Sequence, residues 1–190
     1  WYKIQYVDGT SVVWQRQAGE GPAPISNSDG GWTTASTSLT YQAPTTVFVD
    51  DDFTSATAGW GYDHFTTLTD AAAAVATGGT VNVAAGAYAE SVTLSRSVTL
   101  LGAQGGVAVG GRTAGGAAEA TFTGILTLDA AHVTLDGFTL THPGGTYAVV
   151  VHPAATGATI KNTIVDNVGS TTLAANVHAV IAEDGADGLQ

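Results

Sequence analysis

Between Phe65 and Gly102 the apolar positions change their spacing once, and the change separates one helix from a long succession of strands. Phe65, Leu68, Ala72 and Val75 recur at i, i+3, i+7 and i+10, which sets them along a single helical face. Thr67 with Asp70 three residues on is a capping-box start and Gly78-Gly79 is a stop, so the pattern predicts a helix near 67–77. Short β-branched runs follow at 80–83, 92–94, 98–101, 121–123, 125–128, 133–135, 138–140, 148–151, 158–160, 163–165 and 177–181, separated by small residues, Gly or polar pairs. None exceeds five residues, and no second helix-spaced segment follows. Many short strands exclude a βαβ architecture and leave a sandwich, a barrel or a solenoid.

Upstream, WYKIQYVDGTSVVWQRQ (1–17) alternates large and polar side chains about Asp8-Gly9, a β-hairpin pattern with a two-residue type I′ turn. Residues 18–46 are rich in Gly, Pro, Ser and Thr, broken by Trp32 and by a candidate strand at 38–42. A lone hairpin is marginally stable, so 1–46 reads as a β-rich N-terminal segment or the end of a preceding domain, with a boundary near Pro44. A strand at 47–49 then enters Asp50-Asp51-Asp52 and the loop FTSATAGWGYDH, which delivers the chain to the helix.

Internal similarity separates the three architectures. VTLDGFTLTH (133–142) aligns with ATIKNTIVDN (158–167) at a shift of 25 residues, so that Val133, Leu135, Phe138 and Leu140 fall against Ala158, Ile160, Thr163 and Val165. VTLSRSVTLLG (92–102) echoes LTLDAAHVTLDG (126–137) with one extra residue. A repeat of strand, tight bend and strand at this length is the pattern of a stacked coil, in which inward Val, Leu and Ile of one turn cover those of the last. The chain from 47 to 190 is therefore expected to be an all-β solenoid whose first end is closed by the helix. Its far end, at Asp184-Gly185-Ala186-Asp187-Gly188, carries no closing helix, so more chain or another copy is expected to stack there.

Composition narrows the partners more than the chemistry. Sixteen acidic against five basic residues, a formal net charge of −11, disfavour nucleic acid and anionic membranes, and no apolar run is long enough to span a bilayer. With no Cys, disulfides, thiolate catalysis and Cys-ligated zinc are excluded. The polar surface is mostly Thr, Ser, Asn and Gly, a composition common in extracellular proteins.

VFVDDDFTSATAGWGYDHFTTLTDAAAAVATGGTVNVAAGAYAESVTLSRSVTLLGA (47–103) resembles the entry module of right-handed parallel β-helix proteins of the pectate-lyase-like superfold, in particular the repeats of large bacterial and archaeal surface proteins. The resemblance spans about 47–190 and implies a right-handed parallel β-helix with an N-terminal capping α-helix, preceded by a small β-hairpin segment. Because that module precedes lyases, esterases, adhesins and structural repeats alike, it does not fix an activity. Against pectinesterases, TYAVVVH (146–152) and STTLAAN (170–176) occupy the places of the catalytic strands, with Tyr147 where a Gln is expected and Thr172 where an acid is expected. Without that carboxylate the activity lacks its general acid and nucleophile.

Four candidate chemistries remain. Asp50, Asp51, Asp52 and Asp63 are candidate calcium ligands, since hard cations take several oxygens; their spacing is not that of an EF-hand, and a solvated strand end is the plainer reading. His64, His132, His142, His152 and His178 are scattered, and read as surface or turn histidines rather than a metal cluster. Trp32, Trp60 and Tyr62 are candidate glycan-stacking residues, against the alternative that these aromatics form a small core. GAQGGVAVGGRTAGGAAEA (102–120) lacks a phosphate-loop pattern and is expected to project as a flexible loop. The paired bends Asp136-Gly137 and Lys161-Asn162 read as structural.

The expected function is a non-catalytic structural or adhesive segment of an extracellular or cell-surface protein, assembling end to end, with polysaccharide a candidate partner. The alternatives are a polysaccharide lyase or esterase whose catalytic residues lie outside this window, and a glycan-binding module.

Overall fold

The computed structural model describes residues 2–7, 11–16, 42–169 and 179–184. The chain divides into two compact units, 1–42 and 43–190. In the first, β1 (Tyr2–Val7) and β2 (Ser11–Arg16) pair antiparallel, Tyr2 against Arg16 and Val7 against Ser11. The hairpin is as expected, but its pairing leaves three residues between Val7 and Ser11 rather than the two of a type I′ turn. The candidate strand at 38–42 and Trp32 lie outside the described residues, apart from Gln42.

The second unit opens with β3 (Thr46–Val49), β4 (His64–Phe65) and α1 (Leu68–Ala74). It continues through β5 (Thr80–Val83), β6 (Gly86–Ala89), β7 (Val92–Leu94), β8 (Thr99–Leu101), β9 (Ala120–Thr123) and β10 (Leu126–Leu128). The last strands are β11 (Thr134–Asp136), β12 (Phe138–Pro143), β13 (Val149–Val151), β14 (Thr159–Lys161), β15 (Ile164–Gly169) and β16 (Val180–Ala182). They form three parallel sheets, ordered β14-β11-β8-β5-β3-β4, β15-β12-β9-β6 and β16-β13-β10-β7. From β5 onward successive strands enter the three sheets in fixed rotation, and from β8 onward each pairs with the strand three before it. The unit is predominantly β, with three parallel sheets and one short helix, an arrangement compatible with a solenoid.

The sequence repeat is the pairing register. Thr134, Leu135 and Asp136 pair with Thr159, Ile160 and Lys161, the shift of 25 seen between the two copies, until a bulge after Thr141 displaces His142 onto Val168. Val92 pairs with Leu126 and Thr99 with Thr134, so the extra residue of the second echo falls between β10 and β11. Alternate positions along each strand form rows across the sheets. In the six-stranded sheet Val47, Val81, Leu100 and Leu135 form a buried row, and Thr46, Thr80, Thr99, Thr134 and Thr159 a row on its other face. Phe122, Phe138, Leu126, Leu128 and Leu140 fill the centre from the other two sheets.

The helix is shorter than its pattern. Thr67 caps it, its Oγ1 accepting from Asp70 N–H at 3.1 Å, but Val75 is already extended, so it ends before Gly78-Gly79. Seven residues are too few to persist alone, and distant side chains hold both ends. Glu90 accepts from Leu68 N–H at 2.7 Å and Thr69 N–H at 3.0 Å, while Arg96 donates to Val75 O at 2.7 Å and Ala73 O at 3.0 Å. A carboxylate at the first turn and a guanidinium at the last also suit the helix dipole. Leu68, Ala71 and Val75 bury the inner face of this segment against the strands.

β6, GAYA, was not expected, because Gly and Ala are poor strand formers; its place is fixed by pairing with β9 and by the buried ring of Tyr88. No helix among the described residues is long and apolar enough to cross a membrane.

Candidate functional site

The acidic run leaves β3 and its four carboxylates diverge. Asp50 Oδ1 accepts from Asp52 N–H at 3.0 Å, closing a turn that carries the chain off the sheet. Asp51 turns to β6, where Ala87 N–H donates to Oδ2 at 3.3 Å and a Cβ on Gly86 would stand 2.3 Å from Oδ1. Asp52 is exposed, and Asp63 Oδ1 lies 2.8 Å from His64 Nδ1. Tyr88 OH donates to Ala84 O at 3.0 Å nearby; burial, then Asp51 and Asp50, hold the phenol well above its ordinary pKa. Among the described residues no three His, Asp or Glu converge as metal ligands would.

Of the aromatic candidates, Trp32 lies outside the described residues, while Trp60 and Tyr62 are exposed on the loop before β4. A different aromatic set is gathered beside them. Phe48, 39% exposed on β3, stacks with His64 at 5.0 Å, and Phe53 approaches the same imidazole at 5.0 Å, tilted by 53°. Phe48, Asn82 and Leu101 form an in-register row across β3, β5 and β8. With Asp50, Phe53 and Ala103 they line a mostly apolar groove of about 380 Å³. Neither Trp60 nor Tyr62 lines it. The signal in the sequence was Phe48 itself, a large apolar residue out of phase with Val47 and Val49.

The Gly-rich insertion corrects the expectation of a projecting loop. It folds over the bends, where a Cβ on Gly137, itself at φ +83°, would stand 2.1 Å from Gly105 N. Arg112 forks onto Glu119, Nε to Oε1 at 2.9 Å and Nη2 to Oε2 at 2.6 Å, both side chains buried. The same guanidinium donates to Asn162 O and Phe138 O, and Thr139 Oγ1 donates to Glu119 Oε2 at 3.0 Å. Asp136 accepts from Gly106 N–H at 3.0 Å and Asn162 Nδ2 at 2.8 Å, with Lys161 Nζ at 3.3 Å. Arg112 lowers the Glu119 pKa against the penalty of burial, helped by Thr139. Burial opposes ionisation of Asp136 too, but Gly106, Asn162 and Lys161 outweigh it and the pKa is lowered. These carboxylates are saturated with partners and hold the insertion down.

The third sheet directs Thr93, Thr127, Val150 and Ile181 to the face opposite its core rows, so that face carries no titratable group at the paired positions. At the bend after each of its later strands stand Asp129, His152 and Glu183, with His152 Nδ1 2.9 Å from Asp129 and Nε2 3.8 Å from Glu183. Thr172 and His178 lie outside the described residues. No protein-family model, no curated protein and no solved structure matches the chain.

Proposed function

We propose that this chain is a non-catalytic structural or adhesive segment of an extracellular or cell-surface protein, built as a right-handed parallel β-solenoid of the pectate-lyase-like kind and capped by α1. The rotation of strands through three parallel sheets, with continuous apolar rows inside, is the observation that supports it. Right-handedness follows from the general hand of parallel crossovers. Against catalysis, the buried acids Glu119 and Asp136 are committed to structural partners, and the outward positions of the third sheet are Thr93, Thr127, Val150 and Ile181. Purified chain incubated with pectins, alginate and related polyuronates is expected to give no turnover. Reproducible cleavage or de-esterification would overturn the reading.

A further inference from the structure

We infer that the groove between Phe48 and Phe53 is a binding site for an amino sugar, a pyranose bearing a free ammonium group. The inference rests on the adhesive side of the proposed function and names its ligand class.

The groove has an apolar body and few polar groups, the usual make-up of a small-ligand site. Phe48 and Phe53 bring their rings to the lining, where the axial C–H face of a pyranose would pack, and Phe48 stays 39% exposed although it lies on a strand of the largest sheet. His64 stacks against one face of Phe48, 5.0 Å between ring centres, and fixes that ring. Asn82 lies in register with Phe48 and, half-buried, brings an amide carbonyl to the lining for a sugar hydroxyl.

Charge selects among sugars. Asp50 is the charged residue of the lining, and Lys and Arg contribute nothing to it. One Asp50 lone pair accepts from Asp52 N–H, and a carboxylate has about four such sites, so others remain for an ammonium group. An ammonium seated over an aromatic ring gains a cation–π contribution as well. A uronate would meet the Asp50 carboxylate and a chain of net charge −11. Trp60 and Tyr62, the exposed aromatics of the neighbouring loop, lie outside the lining and are not needed.

Isothermal titration of the whole chain with glucosamine oligomers, their N-acetylated counterparts and oligogalacturonate tests this. Glucosamine oligomers should bind more weakly as salt rises, and at least about fivefold more tightly than the acetylated series, the scale of one lost charge-assisted contact. Oligogalacturonate should give no heat. Phe53→Ala and Asp50→Asn should each weaken binding by about fivefold or more. Asn keeps the turn acceptor of Asp50, so an unchanged melting temperature shows that the fold survives, and Trp60→Ala should bind as the parent does. Absence of heat with glucosamine oligomers at millimolar concentration, equal affinity for the acetylated series, or loss on Trp60→Ala but not on Phe53→Ala would overturn the site. The polyuronate assay fails independently: turnover there removes the non-catalytic reading and leaves this titration unchanged.

Discussion

Arg112 and Glu119 stand seven residues apart in a glycine-rich stretch whose composition suggests a loose loop, yet they make the most buried ion pair among the described residues. Nothing in their spacing announces it, because the partner groups, Thr139, Phe138 O and Asn162 O, come from β12 and from the bend after β14, far along the chain. Glu119→Gln keeps the volume but leaves a buried guanidinium uncompensated, and should cost roughly 3 kcal/mol. Urea unfolding would read this as a lower midpoint at unchanged slope; an unchanged midpoint would contradict it. The acids also set a pH dependence. Glu119 and Asp136 have folded pKa values below the ordinary ones, so in acid the unfolded chain binds more protons. Their contribution should be constant above about pH 5 and decline below about pH 4, as each folded pKa is approached. Tyr88 acts at the other limit: its raised pKa means that stability is lost as pH climbs above about 10, and Tyr88→Phe should remove that alkaline loss in a melting-temperature profile.

At the scale of elements, α1 shows how local pattern and long-range contact divide the work. Its start was legible, since Thr67 and Asp70 cap it as the sequence suggests. Its end was not, because Arg96, some twenty residues away, takes the carbonyls of Ala73 and Val75 before the glycines are reached. Glu90→Ala exposes the amides of Leu68 and Thr69, and should cost about 1–2 kcal/mol, the usual loss for a helix cap. Amide hydrogen exchange should then rise across 68–74 while the six-stranded sheet keeps its protection; equal protection in the variant would contradict the clamp. Strands were legible wherever β-branched residues recur, and GAYA was missed because pairing and one buried ring hold it in place of propensity.

At the largest scale, the second unit follows from repetition. The shift of 25 residues between 133–142 and 158–167 returns as the register of β11 on β14 and of β12 on β15, so the stacking of strands was readable before any contact was known. Of the aromatic groove only Phe48, out of phase with Val47 and Val49, was readable, because Asn82 and Phe53 share no local pattern with it and meet it only when β3 and β5 lie in register and the acidic turn folds back. One distance tests the stack directly. Thr46, Thr80, Thr99, Thr134 and Thr159 pair in succession across five strands. The chain has no native Cys, so Thr46→Cys and Thr159→Cys accept spin labels without competition. Four steps of about 4.8 Å place the two sites about 19 Å apart, although they are widely separated in sequence. Pulsed dipolar spectroscopy should give a single distribution near that distance, broadened by the label arms. A distribution centred beyond about 30 Å, which four ladder steps do not reach, would contradict the stacked arrangement.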